Sequence, residues 1–258
     1  MQYKNLVELI NVVEVLRSET GCAWDREQTH TSLKKNMLEE AYETVDAIDS
    51  SDMKHLREEL GDVLLQVILH AQIAKESGDF CIEDVSKTIK DKLIHRHPHV
   101  FGDVKVHSTD EILDNWEELK KKEKPHRTSI MDGISKAQSA LMTAQKASKK
   151  AIKVGFEWPN EEMLRECIYS ELDEFKNAKT PEEKEDELGD ILFAIVNLAR
   201  WNNINAEEAL IKSNRKFIAR FKMMEKLATK DLTEYNFEEY DALWRSAKEA
   251  LSIEDKTR

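Results

Sequence analysis

Two sets of acidic residues with the same order of paired carboxylates lie about 130 positions apart in this chain. Each set consists of two pairs of carboxylates, and the members of a pair are three residues apart. The first set is Glu40, Glu43, Glu59 and Asp62, and the second is Glu171, Glu174, Glu187 and Asp190. Because residues three apart share one face of an α-helix, two antiparallel helices can bring the four carboxylates of a set together. Such a cluster of oxygen ligands is typical of a site for Mg²⁺, with Mn²⁺ as an alternative.

The residues that follow the acidic pairs help to decide between a metal site and a solvated helix face. The chain is 35% charged, so an isolated acidic pair carries little weight. Here, however, the second pair of each set is followed by a segment that is apolar almost all round, at 63–69 and 191–196. A helix of this kind belongs in a protein interior, and an unpaired charge at its end is unfavourable. The pattern therefore favours metal binding by the paired sets.

Gly61 and Gly189 lie inside these same helices, each directly before the aspartate of its set. Glycine within a helix is about 1 kcal/mol less favourable than alanine. The sequence therefore predicts a reason for each glycine, either the close packing of a neighbouring helix or access for a ligand. Both explanations predict that a side chain has no room at these positions.

The acidic sets belong to a longer internal repeat. Five elements recur in the same order at offsets of 124 to 134 residues. Besides the two acidic pairs, the matched elements are Gly21-x-x-Trp24 with Gly155-x-x-Trp158, Lys92-x-x-x-Arg96 with Lys216-x-x-x-Arg220, and Trp116-x-x-x-Lys120 with Trp244-x-x-x-Lys248. Any single match is weak, but the ordered set predicts a duplicated helical unit.

The repeated basic and aromatic residues allow two interpretations. Lys216 and Arg220 are four positions apart on one predicted helix, and so are Trp244 and Lys248. In the functional interpretation the bases neutralise phosphate oxygens and the tryptophan offers its face to a nucleobase. In the structural interpretation the bases face solvent and the tryptophan belongs to the core. The residues alone leave both interpretations open.

Composition and charge limit the class of protein. Only 7 of the 258 residues are Gly and only 4 are Pro, which favours an all-α fold. A formal net charge of −12 argues against nucleic acid or an anionic membrane as a partner, since both bind basic faces. The three cysteines are widely spaced, and the chain shows neither a signal peptide nor a membrane span. These features predict a cytoplasmic protein.

A charged, proline-bearing segment at 120–129 lacks helical periodicity and predicts a domain boundary, with domains at 1–125 and 126–258. All eight histidines lie at or before His126. The second half therefore lacks the Glu-x-x-His pairs of ferritin-like di-iron proteins. This counts against one alternative function, that of a carboxylate di-metal redox protein.

Several longer motifs resemble those of a known family. They are Gly21-Cys22-Ala23-Trp24-Asp25-x-x-Gln28, Leu38-Glu39-Glu40-Ala41-Tyr42-Glu43, Glu58-Glu59-Leu60-Gly61-Asp62, Arg96-His97-Pro98-His99-Val100-Phe101, Val154-Gly155-Phe156-x-Trp158 and Asn197-Leu198-Ala199-Arg200. Through these motifs the chain is similar, over essentially its whole length, to the two-domain bacterial form of the MazG family. This is an all-α family of nucleoside triphosphate pyrophosphohydrolases.

The resemblance implies tandem four-helix modules, a homodimer, and Mg²⁺-dependent cleavage of a nucleoside or deoxynucleoside triphosphate to the monophosphate and pyrophosphate. A role in cleaning the nucleotide pool would follow. The resemblance also implies that the second half carries the main activity. The expected catalytic and metal-binding residues are then Glu171, Glu174, Glu187 and Asp190, and the expected substrate-binding residues are Lys216, Arg220, Trp244 and Lys248.

The first acidic set is chemically intact and remains a second candidate metal site. A further alternative is a non-enzymatic helical regulator that senses nucleotides and holds Mg²⁺ for structural reasons. Neither a nucleic acid nor a membrane is expected as a partner in either case.

Overall fold

The computed structural model describes most of the chain. The described residues are 3–106, 108, 109, 111, 112, 115, 116, 119, 123 and 128–257 of 258, with side chains up to 252. Within these ranges the chain contains helices and no β-strand, which confirms the predicted all-α fold. No helix in the described part is long and apolar enough to cross a membrane.

The chain divides into two compact units, Met1–Glu123 and Lys124–Arg258. The predicted boundary between 125 and 126 lies outside the described residues, as does Lys120. The two units are referred to below as the first unit and the second unit. Their functional assignment, with the second unit as the main catalytic domain, stays a prediction.

The first unit is built around a helical hairpin. Its helices are α1 Lys4–Arg17, α2 Ala23–Glu27, α3 Lys34–Ser50, α4 Met53–Ser77, α5 Ile82–Arg96 and α6 Pro98–Phe101. Helices α3 and α4 form the hairpin, and α1 packs against α4. Ser51 ends α3 in a left-handed conformation, and the Asp52 carboxylate caps α4 by accepting from the backbone N–H groups of Lys54 and His55. This short connection holds the two acid-bearing helices side by side.

An ion pair between a buried arginine and an exposed glutamate fixes the loop that follows α1. The Arg17 guanidinium donates to both carboxylate oxygens of Glu76 on α4, at 2.9 and 2.7 Å. It also donates to the backbone carbonyls of Asp25 and Gln28. The Arg17 side chain is only 5% exposed. The Arg17 side chain therefore connects the end of α1, the loop with Trp24, and the central helix α4.

The second unit repeats the hairpin. Its helices are α7 Ala140–Ile152, α8 Glu161–Asn177, α9 Pro181–Trp201, α10 Ala206–Leu227 and α11 Phe237–Thr257, with a 3₁₀ turn at Leu232–Glu234. Helices α8 and α9 form the hairpin, α7 packs on α9, and α10 packs on α11. Thr180 and Glu183 form a capping box at the start of α9, and Pro181 occupies the first helical position. The predicted Thr180-Pro181 turn is therefore a well-capped helix start.

The glycines in the two central helices differ from the prediction. A Cβ atom placed on Gly61 or Gly189 would meet no described atom of another element within 4 Å. The prediction that a neighbouring helix packs closely against them within the chain is wrong, because both glycines face open space. The other explanation, that the space is kept for a ligand, is not contradicted by this geometry.

We expect Gly189→Ala to stabilise the second unit by about 1 kcal/mol, because alanine favours the helix and its methyl group has room. Chemical denaturation followed by circular dichroism measures the change. Gly61→Ala is the matched variant in the first unit and is expected to behave in the same way. A loss of stability in Gly189→Ala would contradict the prediction and would indicate that another molecule packs on this face.

Candidate active site

The α8–α9 hairpin brings the second acidic set together. One carboxylate oxygen from each of Glu171, Glu187 and Asp190 lies within 4.8 Å of the others. Burial raises the pKa of Glu187, and the negative charges of Glu174, Glu171 and Asp190 raise it further. The negative charges of the other three acids are therefore close enough to repel that of Glu187. We call the four residues the C-terminal acidic cluster. A divalent cation would relieve this repulsion, and four carboxylates suit a hard ion.

The α3–α4 hairpin forms an equivalent N-terminal acidic cluster. Carboxylate oxygens of Glu40, Glu43 and Glu59 lie within 4.8 Å of one another. Burial raises the pKa of Glu40, and the charge of Asp62 is the next largest cause, so the fourth acid also belongs to the cluster. The carboxylates of the two sets thus converge as their spacing predicts, and only their role as metal ligands stays a prediction.

Glu59 gives the first cluster a feature that the sequence did not reveal. It is only 7% exposed. One of its carboxylate oxygens lies 2.9 Å from Nε2 of His55, while the other is buried and has no partner among the described residues. A buried oxygen without a partner is unfavourable, and a bound cation would satisfy it. The residues of this cluster therefore also fit a metal ion, with His55 orienting one ligand.

A cavity of about 580 Å³ adjoins only one of the two clusters. It lies within the second unit, and Glu171 and Asp190 form part of its wall. The rest of the wall is largely apolar and includes Ala147, Ala151, Phe156, Trp158, Met163 and Phe193. We call it the C-terminal cavity. A cavity of about 150 Å³ in the first unit is lined by residues such as Ile10, Ile68 and Cys81, and by no acid of the N-terminal cluster.

Two hydrogen-bonded pairs of polar side chains lie in the wall of the C-terminal cavity. The Ser148 hydroxyl donates to the side-chain oxygen of Asn197, and the Asn197 amide donates to the carbonyl of Phe193 at 3.1 Å. Arg200 donates from its two terminal nitrogens to the two carboxylate oxygens of Glu157, at 2.6 and 2.7 Å. These hydrogen bonds hold the pKa of Glu157 below its usual range.

Sequence analysis did not identify these cavity residues as part of a site. The motif Gly155-x-x-Trp158 indicates the repeat, and Asn197-Leu198-Ala199-Arg200 indicates the family resemblance, but neither predicts a cavity. The signal that could have found them is that both motifs flank the acidic pairs of the second half. Their meeting in one cavity depends on a contact across 43 residues, between Glu157 and Arg200, which spacing along a helix cannot predict.

The predicted substrate-binding residues lie on α10 and α11, apart from the cavity. The Arg220 guanidinium stands 5.6 Å from the centre of the Trp244 ring, and Phe217 contacts the same ring at 5.4 Å. Trp244 is half-buried and packs against the core of this helix pair, at Met223, Met224 and Ala247. Of the predicted set, Lys216 and Lys248 share these helices, and none of the four residues lines the C-terminal cavity.

The matching residues of the first unit have different partners. Arg96 donates to Glu123, with its Nε 3.1 Å from one carboxylate oxygen, and Trp116 contacts the ring of His97 at 5.5 Å. The arginine of the first unit is thus paired with a carboxylate, whereas Arg220 lies over an aromatic ring. This difference makes Arg220 the better candidate for binding a phosphate.

Comparisons with known proteins agree on one family. A family model described as the MazG nucleotide pyrophosphohydrolase domain matches residues 28–101, which include the N-terminal acidic cluster. The nucleoside triphosphate pyrophosphohydrolase/pyrophosphatase MazG of Thermotoga maritima is 49% identical over 245 residues, covering 93% of this chain and 94% of that protein. The nucleoside triphosphate pyrophosphohydrolase of Escherichia coli K12 is 40% identical, covering 93% and 95%. The uncharacterised protein YabN of Bacillus subtilis is 47% identical, with 50% of its length covered.

Proposed function

The chain belongs to the MazG family and is a nucleoside triphosphate pyrophosphohydrolase, and we propose that its reaction requires Mg²⁺ held by the C-terminal acidic cluster. The convergence of Glu171, Glu187 and Asp190, two of which line a large cavity, is the observation that carries this proposal. Mn²⁺ has the same preference for oxygen ligands and is the expected substitute. Family membership favours this hydrolase over the regulator and the redox protein considered above.

The proposed reaction is attack by water on the α-phosphorus of the triphosphate. The bond between the α-phosphorus and the bridging oxygen breaks, and pyrophosphate leaves. A divalent cation, when bound, lowers the pKa of a water and offsets the negative charge of the phosphates. Glu174 is the proposed general base because its carboxylate lies outside the three that converge most closely, where it accepts from the Ser170 hydroxyl at 3.1 Å.

Lys216, Arg220 and Lys248 are the proposed phosphate-binding residues, because a transition state that builds negative charge needs fixed positive charges. Their helices pack on one another, and α10 also packs on α7 and α9 of the same unit. Trp244 completes the proposed substrate-binding set of the family resemblance. Its observed contact with Arg220 supports a role in holding that guanidinium in place.

We expect Arg220→Ala to raise KM for a nucleoside triphosphate about tenfold, since one charge-assisted hydrogen bond is worth about 1.5 kcal/mol. Lys222→Ala is the matched control, because Lys222 is an exposed base on the same helix outside the proposed set. Steady-state kinetics with saturating Mg²⁺ measures both. An equal KM for wild type and Arg220→Ala would remove Arg220 from the phosphate site.

The second unit is the proposed main catalytic domain. Only its acidic cluster adjoins the large cavity described above, and its Arg220 lies over the Trp244 ring, whereas Arg96 pairs with Glu123. The N-terminal acidic cluster is proposed as a second cation site, since the buried oxygen of Glu59 calls for a positive partner. We propose no separate reaction for it.

A homodimer, implied by the family resemblance, is supported by apolar side chains on the acid-bearing hairpin. Tyr169, Leu172, Leu188, Leu192 and Ile195 are all exposed on α8 and α9. Exposed apolar side chains grouped in this way usually mark a contact with another molecule, and a second copy of the same chain is the commonest partner. Light scattering coupled to size-exclusion chromatography is expected to give twice the mass of one chain, and a monomer would contradict this proposal.

The proposed reaction is tested by product analysis. Incubation with Mg²⁺ and a panel of nucleoside and deoxynucleoside triphosphates is expected to release the monophosphate and pyrophosphate in equal amounts. Excess EDTA is expected to abolish the reaction, and added Mg²⁺ to restore it. Release of orthophosphate with a diphosphate product would place the attack at the γ-phosphorus and contradict the proposal.

A further inference from the structure

We propose that His30 and His70 of the first unit form a binding site for a divalent transition-metal ion such as Zn²⁺, which both side chains hold through Nδ1. His30 lies in the loop between α2 and α3, and His70 lies on the central helix α4. The site is separate from the two acidic clusters and suits a different class of metal ion. It does not depend on the reaction proposed above.

The two histidine rings meet edge to edge through one pair of nitrogens. Their Nδ1 atoms are 2.7 Å apart, the ring centres are 5.1 Å apart, and the ring planes differ by only 4°. Because the ring centres are almost as far apart as this nitrogen contact allows, the two Nδ1 atoms lie between the centres and face one another. This convergence of two imidazole nitrogens, from residues 40 positions apart, is the observation that carries the inference.

The contact needs a hydrogen or a positive ion between the two nitrogens. A neutral imidazole has one nitrogen that carries a hydrogen and one that accepts, so the metal-free pair requires one Nδ1 of each kind. If neither Nδ1 carried a hydrogen, two lone pairs would face each other. A metal ion accepts both lone pairs at once, and imidazole nitrogen is a common ligand of Zn²⁺, Cu²⁺ and Ni²⁺. The pair therefore suits an ion of this class better than it suits Mg²⁺, which prefers oxygen ligands.

Only a small movement is needed to admit the ion. Zn–N bonds of about 2.0–2.1 Å at a tetrahedral angle place two nitrogens about 3.3 Å apart, so the observed separation of 2.7 Å would widen by about 0.6 Å. His30 is exposed and His70 is half-buried. The exposed ring of His30 is free of surrounding packing on its solvent side and can make this movement. Solvent then reaches the remaining coordination positions of the ion.

The loop that carries the first histidine is held in place by contacts on either side of it. The backbone N–H groups of Thr29 and Ser32 each donate to the side-chain oxygen of the other residue, at 2.9 and 3.1 Å. Leu33 is only 1% exposed and belongs to the same core cluster as Leu69, the residue before the second histidine. The backbone that presents both ligands is therefore fixed before an ion arrives, which favours binding.

The histidine pair cannot share an ion with the N-terminal acidic cluster. His70 follows Glu59 by eleven residues on α4, which is about 16 Å along the axis of the helix. Among the described residues, the groups of three or more potential metal ligands are the two acidic ones, so no third such side chain joins the pair. The proposed site therefore has two protein ligands and leaves the other positions to water. Such a site binds its ion reversibly.

The second unit has no counterpart of this pair. The offset that relates Asp62 to Asp190 also relates His70 to Leu198, and all eight histidines of the chain lie at or before His126. The pair is therefore a property of the first unit alone. It does not belong to the set of residues that the internal repeat duplicates.

A second group of histidines, near the end of α5, is a weaker candidate. His97 donates from Nδ1 to the backbone carbonyl of Leu93 at 2.7 Å, so this nitrogen already has a partner. The ring of His97 is also inclined by 50° to that of His99, whereas the rings of the proposed pair are nearly coplanar. His95, in the same region, is exposed and provides a control histidine.

The test is a calorimetric titration of the full chain with Zn²⁺. The protein carries no histidine tag and is stripped of metal, and excess Mg²⁺ is present to fill the acidic clusters. We expect wild type to bind one equivalent of Zn²⁺ that Mg²⁺ does not displace. His30→Ala and His70→Ala are each expected to weaken this binding tenfold or more, since even the loss of a group that only orients a ligand costs about tenfold. His95→Ala is the matched control and is expected to bind as wild type does.

Two further measurements separate a metal site from a simple hydrogen bond. His30→Asn keeps a side chain that can hydrogen bond to His70 but removes one imidazole, and it is expected to weaken Zn²⁺ binding as much as His30→Ala does. Nuclear magnetic resonance of the histidine ring nitrogens is expected to show that Zn²⁺ shifts the Nδ1 signals of both residues more than their Nε2 signals. Circular dichroism confirms that the variants are folded, and His30→Ala is the safer one because His30 is exposed.

Several results would overturn the inference. Equal Zn²⁺ affinity in wild type, His30→Ala and His70→Ala would show that neither histidine is a ligand, and full affinity in His30→Asn would show that the contact is only a hydrogen bond. Displacement of Zn²⁺ by Mg²⁺ would place the ion in an acidic cluster. Loss of binding in His95→Ala alone would place it at the end of α5. None of these results affects the proposed hydrolysis, which is measured with Mg²⁺ as the added ion.

Discussion

Glu187→Gln and Asp190→Asn are each expected to lower the rate of pyrophosphate release about 100-fold or more, with helical content unchanged. Each substitution removes a negative charge from the C-terminal acidic cluster, in which oxygens of Glu171, Glu187 and Asp190 lie within 4.8 Å of one another. With one carboxylate lost, the cluster would hold the proposed cation less firmly, and electrostatic stabilisation of this kind is commonly worth about 10²–10³ in rate. Helicity is preserved because the replacements are isosteric and the carboxylates repel one another in the absence of a cation.

Glu185→Gln is the matched control for this prediction. It removes the same charge from the same helix at an exposed position outside the cluster, and near-normal activity is expected. Activity is measured at several Mg²⁺ concentrations, since a weakened site recovers in part at higher concentrations of the ion. Normal turnover in both Glu187→Gln and Asp190→Asn would show that the second unit does not carry the reaction.

The corresponding substitutions in the first unit, Glu59→Gln and Asp62→Asn, are expected to reduce turnover far less. The reason is that the large cavity described above adjoins the other cluster. A large loss of activity in these variants, with little change in the second-unit variants, would assign the main reaction to the first unit. Metal content after dialysis would show separately whether the N-terminal acidic cluster retains an ion.

We expect Glu157→Gln to destabilise the second unit by about 3 kcal/mol at neutral pH, because it leaves the guanidinium of Arg200 buried without its counter-ion. The Arg200 side chain is only 6% exposed. Denaturant titration measures the change. Asp241→Asn is the matched control, since it removes the carboxylate of an exposed arginine pair, and it should change stability by less than about 0.5 kcal/mol. The double variant Glu157→Gln with Arg200→Met is expected to recover part of the loss.

The effect of Glu157 depends on pH in a defined direction. Its pKa in the folded protein is below the ordinary value of 4.5, chiefly because Arg200 donates hydrogen bonds to it. Its contribution to stability is therefore fully present above about pH 4.5 and is lost as the pH falls through the folded pKa. The difference between wild type and Glu157→Gln should be constant from pH 6 to 8 and shrink in more acidic solution. A difference that grows as the pH falls would contradict the assignment of this pair.

The sequence predicted the acid-bearing hairpins well because their signals are local. The three-residue spacing places Glu171 and Glu174 on one face, and the apolar run after Asp190 requires a central helix. The same reasoning holds for the first set. These features depend on helical periodicity and burial, both of which can be read from neighbouring residues. The convergence of the carboxylates then follows from the short connection between the helices.

The parts that the sequence did not predict depend on contacts between distant residues. The wall of the cavity includes Glu157 and Arg200, which pair across 43 positions, and no periodic pattern connects the two. His55 reaches Glu59 within one helical turn, but a histidine four residues before a glutamate is too common to single out. The predicted close packing of a helix against Gly61 and Gly189 is wrong, because the sequence cannot show which helix face is left uncovered.

In each unit an ion pair with the central helix holds a loop in place, but the positive and negative partners are exchanged between the two units. In the first unit Arg17 from α1 meets Glu76 of the central helix, whereas in the second unit Glu157 from the loop meets Arg200 of the central helix. In the repeat, Glu157 corresponds to Ala23. A chimera in which residues 21–25 replace 155–159 would therefore put an alanine in place of Glu157 and remove the carboxylate that pairs with the buried Arg200. Although both units contain the same helical hairpin, each central helix carries the residue that fits only the loop of its own unit. A loop moved from one unit to the other would therefore lose its ion pair.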